Sequence, residues 1–383
     1  YYQFYQPPLH YFLSAVWVKI SALLGVASEE WDEALQLLSV LYGTLVLVFL
    51  NLLGKRLDCS VTGRFVVVGL AAFFPYSVFM GGALNNDPLV TLLMLMSLYF
   101  TVKWYQEPGM KNILLMALCV GGAMMTKLSG ALVAFGMAVV MLWKPVSCQR
   151  EWRRYVKQFV CFGLVSFPLG LWYSVLRYVQ YGMPFGFVPA LPEESTQFIG
   201  QYTKWERFQD YAYALESLSV RWGGEEGLDY NIPVTLIKFG VFDELNYYGS
   251  NAATFQLGRI VFWATVVLFL LFAATFLVWL PMKGSPWVFK ALLGVSAAAI
   301  LAAYVHFCWA YPQVCTMNIR YVMTAVYIGM LAIGMAVSGG ERRLLAAGQT
   351  GAGRLLRILT VTSSAGYMIC CALLLTNLEL LLH

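Results

Sequence analysis

Charge is what this 383-residue chain has least of: 12% of its residues are Asp, Glu, Lys or Arg, against about 25% in an ordinary soluble domain. A water-soluble fold must cover its core with a wetted surface, and this supply does not suffice. A soluble enzyme and a disordered tail are thereby excluded. Histidine is also rare, with three residues. The eight cysteines contain no CxxC pair and no metal-spaced Cys/His cluster, which argues against a zinc module and a secreted disulfide scaffold. No Asn-x-Ser/Thr sequon occurs, which fits a bacterial plasma membrane better than an endoplasmic reticulum. The chain opens at Tyr1 without methionine, basic n-region or signal-like apolar stretch. The expectation is that a first membrane segment lies upstream.

Apolar residues, by contrast, make up 60% of the chain, with a mean hydropathy of +0.68. Crossing about 30 Å of hydrocarbon takes about 20 helical residues. Ten apolar runs approach that length: 35–53, 64–80, 88–104, 112–126, 129–143, 157–180, 257–280, 287–309, 319–338 and 357–379. They are continuously apolar and lack the alternation of a lipid-facing barrel strand. The expected fold is all-α, a polytopic transmembrane helical bundle. Its fourth and fifth segments are short enough to be tilted or partly re-entrant.

Basic residues collect on the cytoplasmic side of membrane proteins. The connections after the first, third, fifth, seventh and ninth runs hold 16 of the 25 Lys and Arg and only four acids, Asp58, Glu107, Glu151 and Glu341. These connections are read as cytoplasmic. The net charge of +5 is then a signal of topology and requires no nucleic-acid partner. Residues 1–34, 81–87, 181–256 and 310–318 fall outside. Four divisions follow: an extracytoplasmic juxtamembrane segment 1–34, a transmembrane module 35–180, an extracytoplasmic loop 181–256 and a second module 257–383.

The long loop carries ten acids and many aromatics, among them Tyr202, Trp205, Phe208, Tyr213 and Tyr230. Two readings stand, a sugar-binding or lid surface and an interfacial aromatic belt. Cys308 and Cys315 lie near the same outer face, close enough in sequence to pair.

Polar and ionisable groups near the bilayer are expensive and therefore informative. Four groups of them lie on the outer side. In "FYQPPLHYFLSAVWVKISALLG" (4–25) a Gln6-Pro7-Pro8 turn precedes an apolar helix containing Lys19. This helix is read as lying along the outer interface, the alternative being a short span with an interior lysine. In "GGALNNDPLVTL" (81–92) Asp87 and Pro88 suit the N-cap and N1 positions of a helix. Asn85, Asn86 and Asp87 together also offer oxygens to a hard cation. In "MMTKLSGAL" (124–132) Lys127 is either a snorkelling surface group or a point charge for a phosphate. In "CTMNIRYV" (315–322) Arg320, beside Tyr321, suits bidentate phosphate contact or a lipid headgroup. His306, on the preceding run, reads as a satisfied core histidine.

Read in order, "YQPPLHYFLSAVWVKI", "GGALNNDPLVTLLMLMSLY", "MMTKLSG" and "MNIRYV" resemble the GT-C glycosyltransferases. The similarity is to bacterial family-39-like members, related to protein O-mannosyltransferases and the lipid A aminoarabinose transferase, and it covers residues 1–140. The resemblance implies an inverting transferase that takes a sugar, hexosyl or mannosyl, from a polyprenyl-phosphate donor on the extracytoplasmic face. The acceptor, a protein, lipid or polymer, is not named by it. An acidic residue after the family's first membrane helix would lie upstream of Tyr1. The family's second acidic position falls on Asp87, for acceptor or metal. A divalent metal assists some members, and no other cofactor is implied. Lys127 and Arg320 would hold the donor phosphate. Gln6, Pro7, Pro8, Asn86, Tyr321 and His306 would line the substrate cavity. Asp243 and Glu244, in "VFDELNYYG", are further carboxylate candidates, although adjacent residues rarely both point inward. Competing readings are a transporter or lipid flippase, which would show repeats with broken helices in matching positions, and a catalytically inactive membrane scaffold.

Overall fold

A computed structural model describes residues 5–147, 152–223, 227–244, 252–279 and 286–379. Among these the secondary structure is helical, with two isolated β-bridges, Phe198 to Gln313 and Trp222 to Leu228. The helices are α1 (Leu9–Leu23), α2 (Trp31–Arg56), α3 (Val61–Phe73), α4 (Pro75–Gly82) and α5 (Asp87–Gln106). Next come α6 (Met110–Thr126), α7 (Ala134–Ser147) and α8 (Trp152–Tyr181). The long loop contributes α9 (Glu206–Gln209), α10 (Tyr211–Leu215) and α11 (Ile232–Phe242). The chain continues with α12 (Ala252–Trp279), α13 (Trp287–Ala310), α14 (Met323–Ala346) and α15 (Thr350–Glu379).

All ten apolar runs are helical, but they are not ten equal spans. Eight helices among the described residues are long and apolar enough to cross a membrane, or nine if α3 and α4 count as one. The run 64–80 breaks at Phe74, where α3 and α4 meet at 55°. Pro75 supplies the cause: it disfavours helical geometry at the residue before it and brings no amide hydrogen to the ladder. The run 112–126 becomes the 17-residue α6, shorter than a typical span. The lysine-bearing helix α1 has 15 residues, about 22 Å at 1.5 Å per residue. That is shorter than about 17 residues, the low end of a usual span.

The chain divides into two compact units, each assembled from three stretches. The first comprises residues 1–60, 80–188 and 280–300. Its centre is α5, which packs against α2, α6 and α7, while α6 also packs against α8. The most apolar stretch of α5 is 72% buried, whereas that of α8 is 17% buried. A helix apolar all round is either core or lipid-facing, and α5 and α8 are one of each. Trp104 of α5 is fully buried and donates its indole hydrogen to Gln158 of α8 at 2.6 Å.

The second unit comprises residues 61–79, 189–279 and 301–383. There α14 is central, packed by α3, α12 and α15, and Val314–Ala346 is 83% buried over its most apolar stretch. Helices α3 and α14 cross glycine on glycine. A Cβ on Gly63 would lie 2.3 Å from Ser338 Oγ and 2.4 Å from the Gly334 carbonyl oxygen. Small residues at such crossings let backbones approach closely, which is how membrane helices gain packing without a hydrophobic drive between them.

The loop 189–244 folds onto this unit through an interior ion cluster. Asp229 accepts from Lys238 Nζ at 2.9 and 2.7 Å and from Arg221 Nε at 3.3 Å, all three side chains being buried. Tyr202, Tyr230 and Tyr213 stack in series, with centroids 3.7 and 5.1 Å apart, and Arg221 lies over Tyr213 at 3.7 Å. The Tyr230 hydroxyl donates to Asp210, whose other oxygen caps α10. These acids and aromatics are committed to one another. That is a structural use that neither the sugar-surface nor the interfacial-belt reading of them anticipates.

Two smaller expectations fail. The seven cysteines among the described residues are all free, so Cys308 and Cys315 are not paired; Cys308 Sγ instead approaches the Thr316 carbonyl at 3.4 Å. His306 is exposed on α13 rather than buried in a core, because Tyr304 and Cys308, not His306, occupy the helix face that packs inward.

Candidate functional site

Three of the four outer motifs converge in the first unit. The Asn86 side-chain amide donates to Gln6 Oε1 at 2.7 Å and to the Thr126 carbonyl at 3.2 Å. One asparagine thus ties the Gln-Pro-Pro turn to the start of α5 and the end of α6. Pro7 is buried, and Pro8 stands at the N-cap of α1, where its carbonyl accepts from Phe12 at 2.9 Å. The Ala83 carbonyl, just before this turn, accepts from Ser39 of α2 at 2.7 Å. The whole corner is pinned from several directions.

Asp87 and Lys127 meet at its centre. Lys127 Nζ donates to Asp87 Oδ1 at 2.5 Å. Asp87 is 3% exposed and sits in the first turn of α5, where the positive end of the helix dipole also favours a carboxylate. It is therefore not the N-cap that its sequence position suggests. That place belongs to Asn86, and Asn85 Oδ1 takes the Asp87 amide at 2.9 Å. Lys127 follows the last residue of α6 in extended conformation. Its carbonyl accepts from Gly130 at 2.8 Å, closing a tight turn. A side chain at Gly130 could not fit there, since its Cβ would fall 2.6 Å from the Ala123 backbone.

A residue that the sequence reading passed over joins this corner. His10, in the first turn of α1, is buried, and its Nδ1 has no hydrogen-bond partner among the described residues. Burial lowers its pKa, and the Asp87 charge opposes that shift. Its only sequence signal is its place two residues after the Pro-Pro turn.

The oxygens of the Asn85-Asn86-Asp87 turn do not assemble into a cation site. Asn85 holds a backbone amide, Asn86 acts as a donor, and Asp87 is already neutralised by a lysine. Hard divalent cations take six or more oxygens, several of which waters and substrate phosphates can supply. No group of three or more His, Cys, Asp or Glu comes together among the described residues. No step is assigned to a metal.

The fourth motif lies in the second unit. Asn318 Oδ1 accepts the Arg320 amide at 2.9 Å, and Arg320 Nη2 donates to the Tyr321 hydroxyl at 2.9 Å. The Asn318 amide also reaches Asp243 Oδ1 at 3.5 Å. Asp243 ends α11 with a φ of 51°, turned inward, while Glu244 is exposed. Burial, then the charge of Glu244, raises the Asp243 pKa to about 6, against the opposing pull of Asn318 and Arg320. Asp87, Lys127, Asn86, Gln6, Pro7 and Pro8 thus belong to one unit, and Arg320, Tyr321 and His306 to the other.

Residues 5–172 match the family model described as dolichyl-phosphate-mannose-protein mannosyltransferase. No curated protein sequence matches significantly. Among solved structures, the crystal structure of ArnT from Cupriavidus metallidurans bound to undecaprenyl phosphate aligns with 98% of this chain at 16% identity and a TM-score of 0.52. The apo form of ArnT aligns over 88% of the chain with a TM-score of 0.37. This chain spans 66% of the length of the lipid-bound ArnT chain. The described helices therefore share the polytopic helical fold of ArnT, and residues 5–172 match the dolichyl-phosphate-mannose-protein mannosyltransferase family model.

Proposed function

We propose that the protein is an inverting glycosyltransferase that takes a sugar from a polyprenyl-phosphate donor at the extracytoplasmic face of a bacterial plasma membrane. One observation carries the reading: the pair of buried Asp87 and half-buried Lys127, assembled from segments forty residues apart and framed by Gln6 and Asn86. That ArnT, which shares the fold, was crystallised with undecaprenyl phosphate supports a lipid-phosphate donor.

The chemistry suits the pair. In inverting transfer the acceptor oxygen bonds to the anomeric carbon as the carbon–oxygen bond to phosphate breaks. The bonding electrons leave with the phosphate, and the acceptor proton must go to a base. Lys127, close to a low-dielectric interior, stabilises the charge growing on the phosphate, and such pre-aimed charge is usually the largest catalytic contribution. Asp87 accepts the acceptor proton. Without substrate the two neutralise each other. Donor binding draws the ammonium to the phosphate and leaves the carboxylate free to act as base.

The test is transfer from a panel of radiolabelled polyprenyl-phosphate hexoses, using membranes that carry the full-length protein. Asp87→Asn is expected to lower turnover at least about a hundredfold, the lower range for loss of a general base. Lys127→Ala is expected to lower it about 100- to 1000-fold, as for loss of one charge-stabilising donor. Arg320→Ala tests separately the phosphate role that the sequence assigns to that residue. Absence of transfer by the wild type from every donor would sink the enzymatic reading. Full activity in Asp87→Asn would leave the enzyme class standing and remove this site from it.

A further inference from the structure

The second unit buries a positive charge with no negative partner among the described residues. Arg207, in α9, is 2% exposed. Its backbone is held by Thr203 at 3.1 Å, but the guanidinium Nε and Nη2 are both sealed from solvent and make no hydrogen bond. Three acids of this unit have partners elsewhere. Asp229 is taken by Lys238 and Arg221, Asp210 by Tyr230 and the α10 cap, and Glu206 by the Thr203 amide at 2.7 Å. The groups that act electrostatically on Arg207 are Tyr304 and Cys308, a phenol and a thiol that are neutral in water near pH 7. Both are engaged by the backbone: the Tyr304 hydroxyl donates to the Met317 carbonyl at 2.8 Å, and Cys308 approaches that of Thr316.

A guanidinium removed from water without a counter-charge is costly, and native proteins keep one only where something compensates it. The chemistry of the missing group can be read from the two orphaned atoms. Nε and Nη2 form one edge of the guanidinium plane, with two parallel N–H bonds. That edge matches two oxygens of a single anion, as in a phosphate or carboxylate, and it distinguishes arginine from lysine as a binder. Residues close to Arg207 in sequence form an aromatic and basic cluster with Trp309. Phe208 packs edge-on against Trp309 at 6.1 Å, and Lys204 lies over the same indole at 5.0 Å. Aromatic residues flanked by basic ones form the usual arrangement at a membrane interface.

We infer that Arg207 is an anion-binding residue that takes the phosphoryl group of a membrane lipid through its Nε–Nη2 edge. Arg207 belongs to the second unit, the Asp87–Lys127 pair to the first, and Arg207 was not among the candidates read from the sequence. That the lipid is a polyprenyl phosphate rests on the glycosyltransferase reading; that the ligand is a phosphoryl group does not.

The experiment measures thermal stability of the purified full-length protein titrated with undecaprenyl phosphate, with phosphatidylglycerol and with inorganic phosphate. It compares the wild type with Arg207→Met, Arg207→Lys and the double variant Glu225→Gln/Glu226→Gln. The double variant covers two acids that lie outside the described residues. Expected are a saturable rise in the wild-type melting temperature and at least a tenfold loss of apparent affinity in Arg207→Met, with a smaller loss in Arg207→Lys. Ligand-free Arg207→Met should melt no lower than wild type, because it removes an uncompensated charge, whereas an arginine with a structural role would leave it less stable. A response confined to undecaprenyl phosphate identifies the donor lipid as the source. A response to phosphatidylglycerol alone identifies the bilayer headgroup, and a response to inorganic phosphate as well identifies the phosphoryl group itself. The inference is overturned if no ligand gives an Arg207-dependent response. It is equally overturned if the glutamine double variant destabilises the protein and Arg207→Met restores it, since the counter-ion is then within the chain. Sugar transfer is not read, so these outcomes stand apart from those that test the enzymatic reading.

Discussion

Asp243 and Glu244 are neighbours in sequence with opposite surroundings, one turned into the protein beside Asn318 and the other exposed. The left-handed backbone at Asp243 makes the difference, since it ends α11 and redirects the chain. Its consequence is a pH dependence with a definite sign. The folded pKa, about 6, is raised above the ordinary carboxylate value. The contribution of this group to stability is therefore fully present below about pH 4 and is lost as pH rises through about 6. Melting temperatures in detergent from pH 4 to 7 should fall less for Asp243→Asn than for the wild type. Identical slopes would mean that the carboxyl is not buried as described. Asp87 differs again, because its counter-ion is in place. Removing either partner of a buried pair typically costs about 3–5 kcal/mol, so Lys127→Ala should lower stability as well as turnover, and the two losses need to be measured together.

At the scale of elements, the glycine crossing of α3 and α14 is the most exacting contact. Gly63→Ala places a methyl group against a backbone carbonyl, which cannot swing aside as a side-chain tip can. Overpacking of this kind costs about 1–3 kcal/mol, and a lower melting temperature with reduced membrane yield is expected. An unchanged melting temperature would show that the helices separate readily. The contact could not be read from the sequence, where Gly63 lies in an ordinary apolar run and its partner is some 270 residues away. The helices themselves could, because hydropathy sums over neighbouring residues. The 55° break between α3 and α4 was also open to reading, since Pro75 acts on its own neighbours. The Asp87 cap was misread for the converse reason. Local preference selects the N-cap, but a lysine arriving from the end of α6 offered the carboxylate a stronger partner.

For the molecule as a whole, orientation is the property that charge distribution makes testable. By the positive-inside rule the basic connections predict residues 181–256 outside and residues 339–357 inside. In a cysteine-free background, a membrane-impermeant maleimide applied to intact cells should label Glu193→Cys. It should reach Arg343→Cys only after permeabilisation. The reverse pattern would invert the proposed side of the reaction while leaving the fold unchanged. Some properties were settled by the sequence alone: membrane residence and helical architecture. Each depends on composition or on charges summed over short stretches, which no tertiary contact can alter. Other properties were decided only when distant segments met: the closing of the Gln6, Asn86, Asp87 and Lys127 corner, the commitment of the loop acids and tyrosines to one another, and the sealing of Arg207 without a partner. The physical reason is that the energy of a charge depends on what lies within a few ångströms of it, and along the chain those neighbours are tens of residues away.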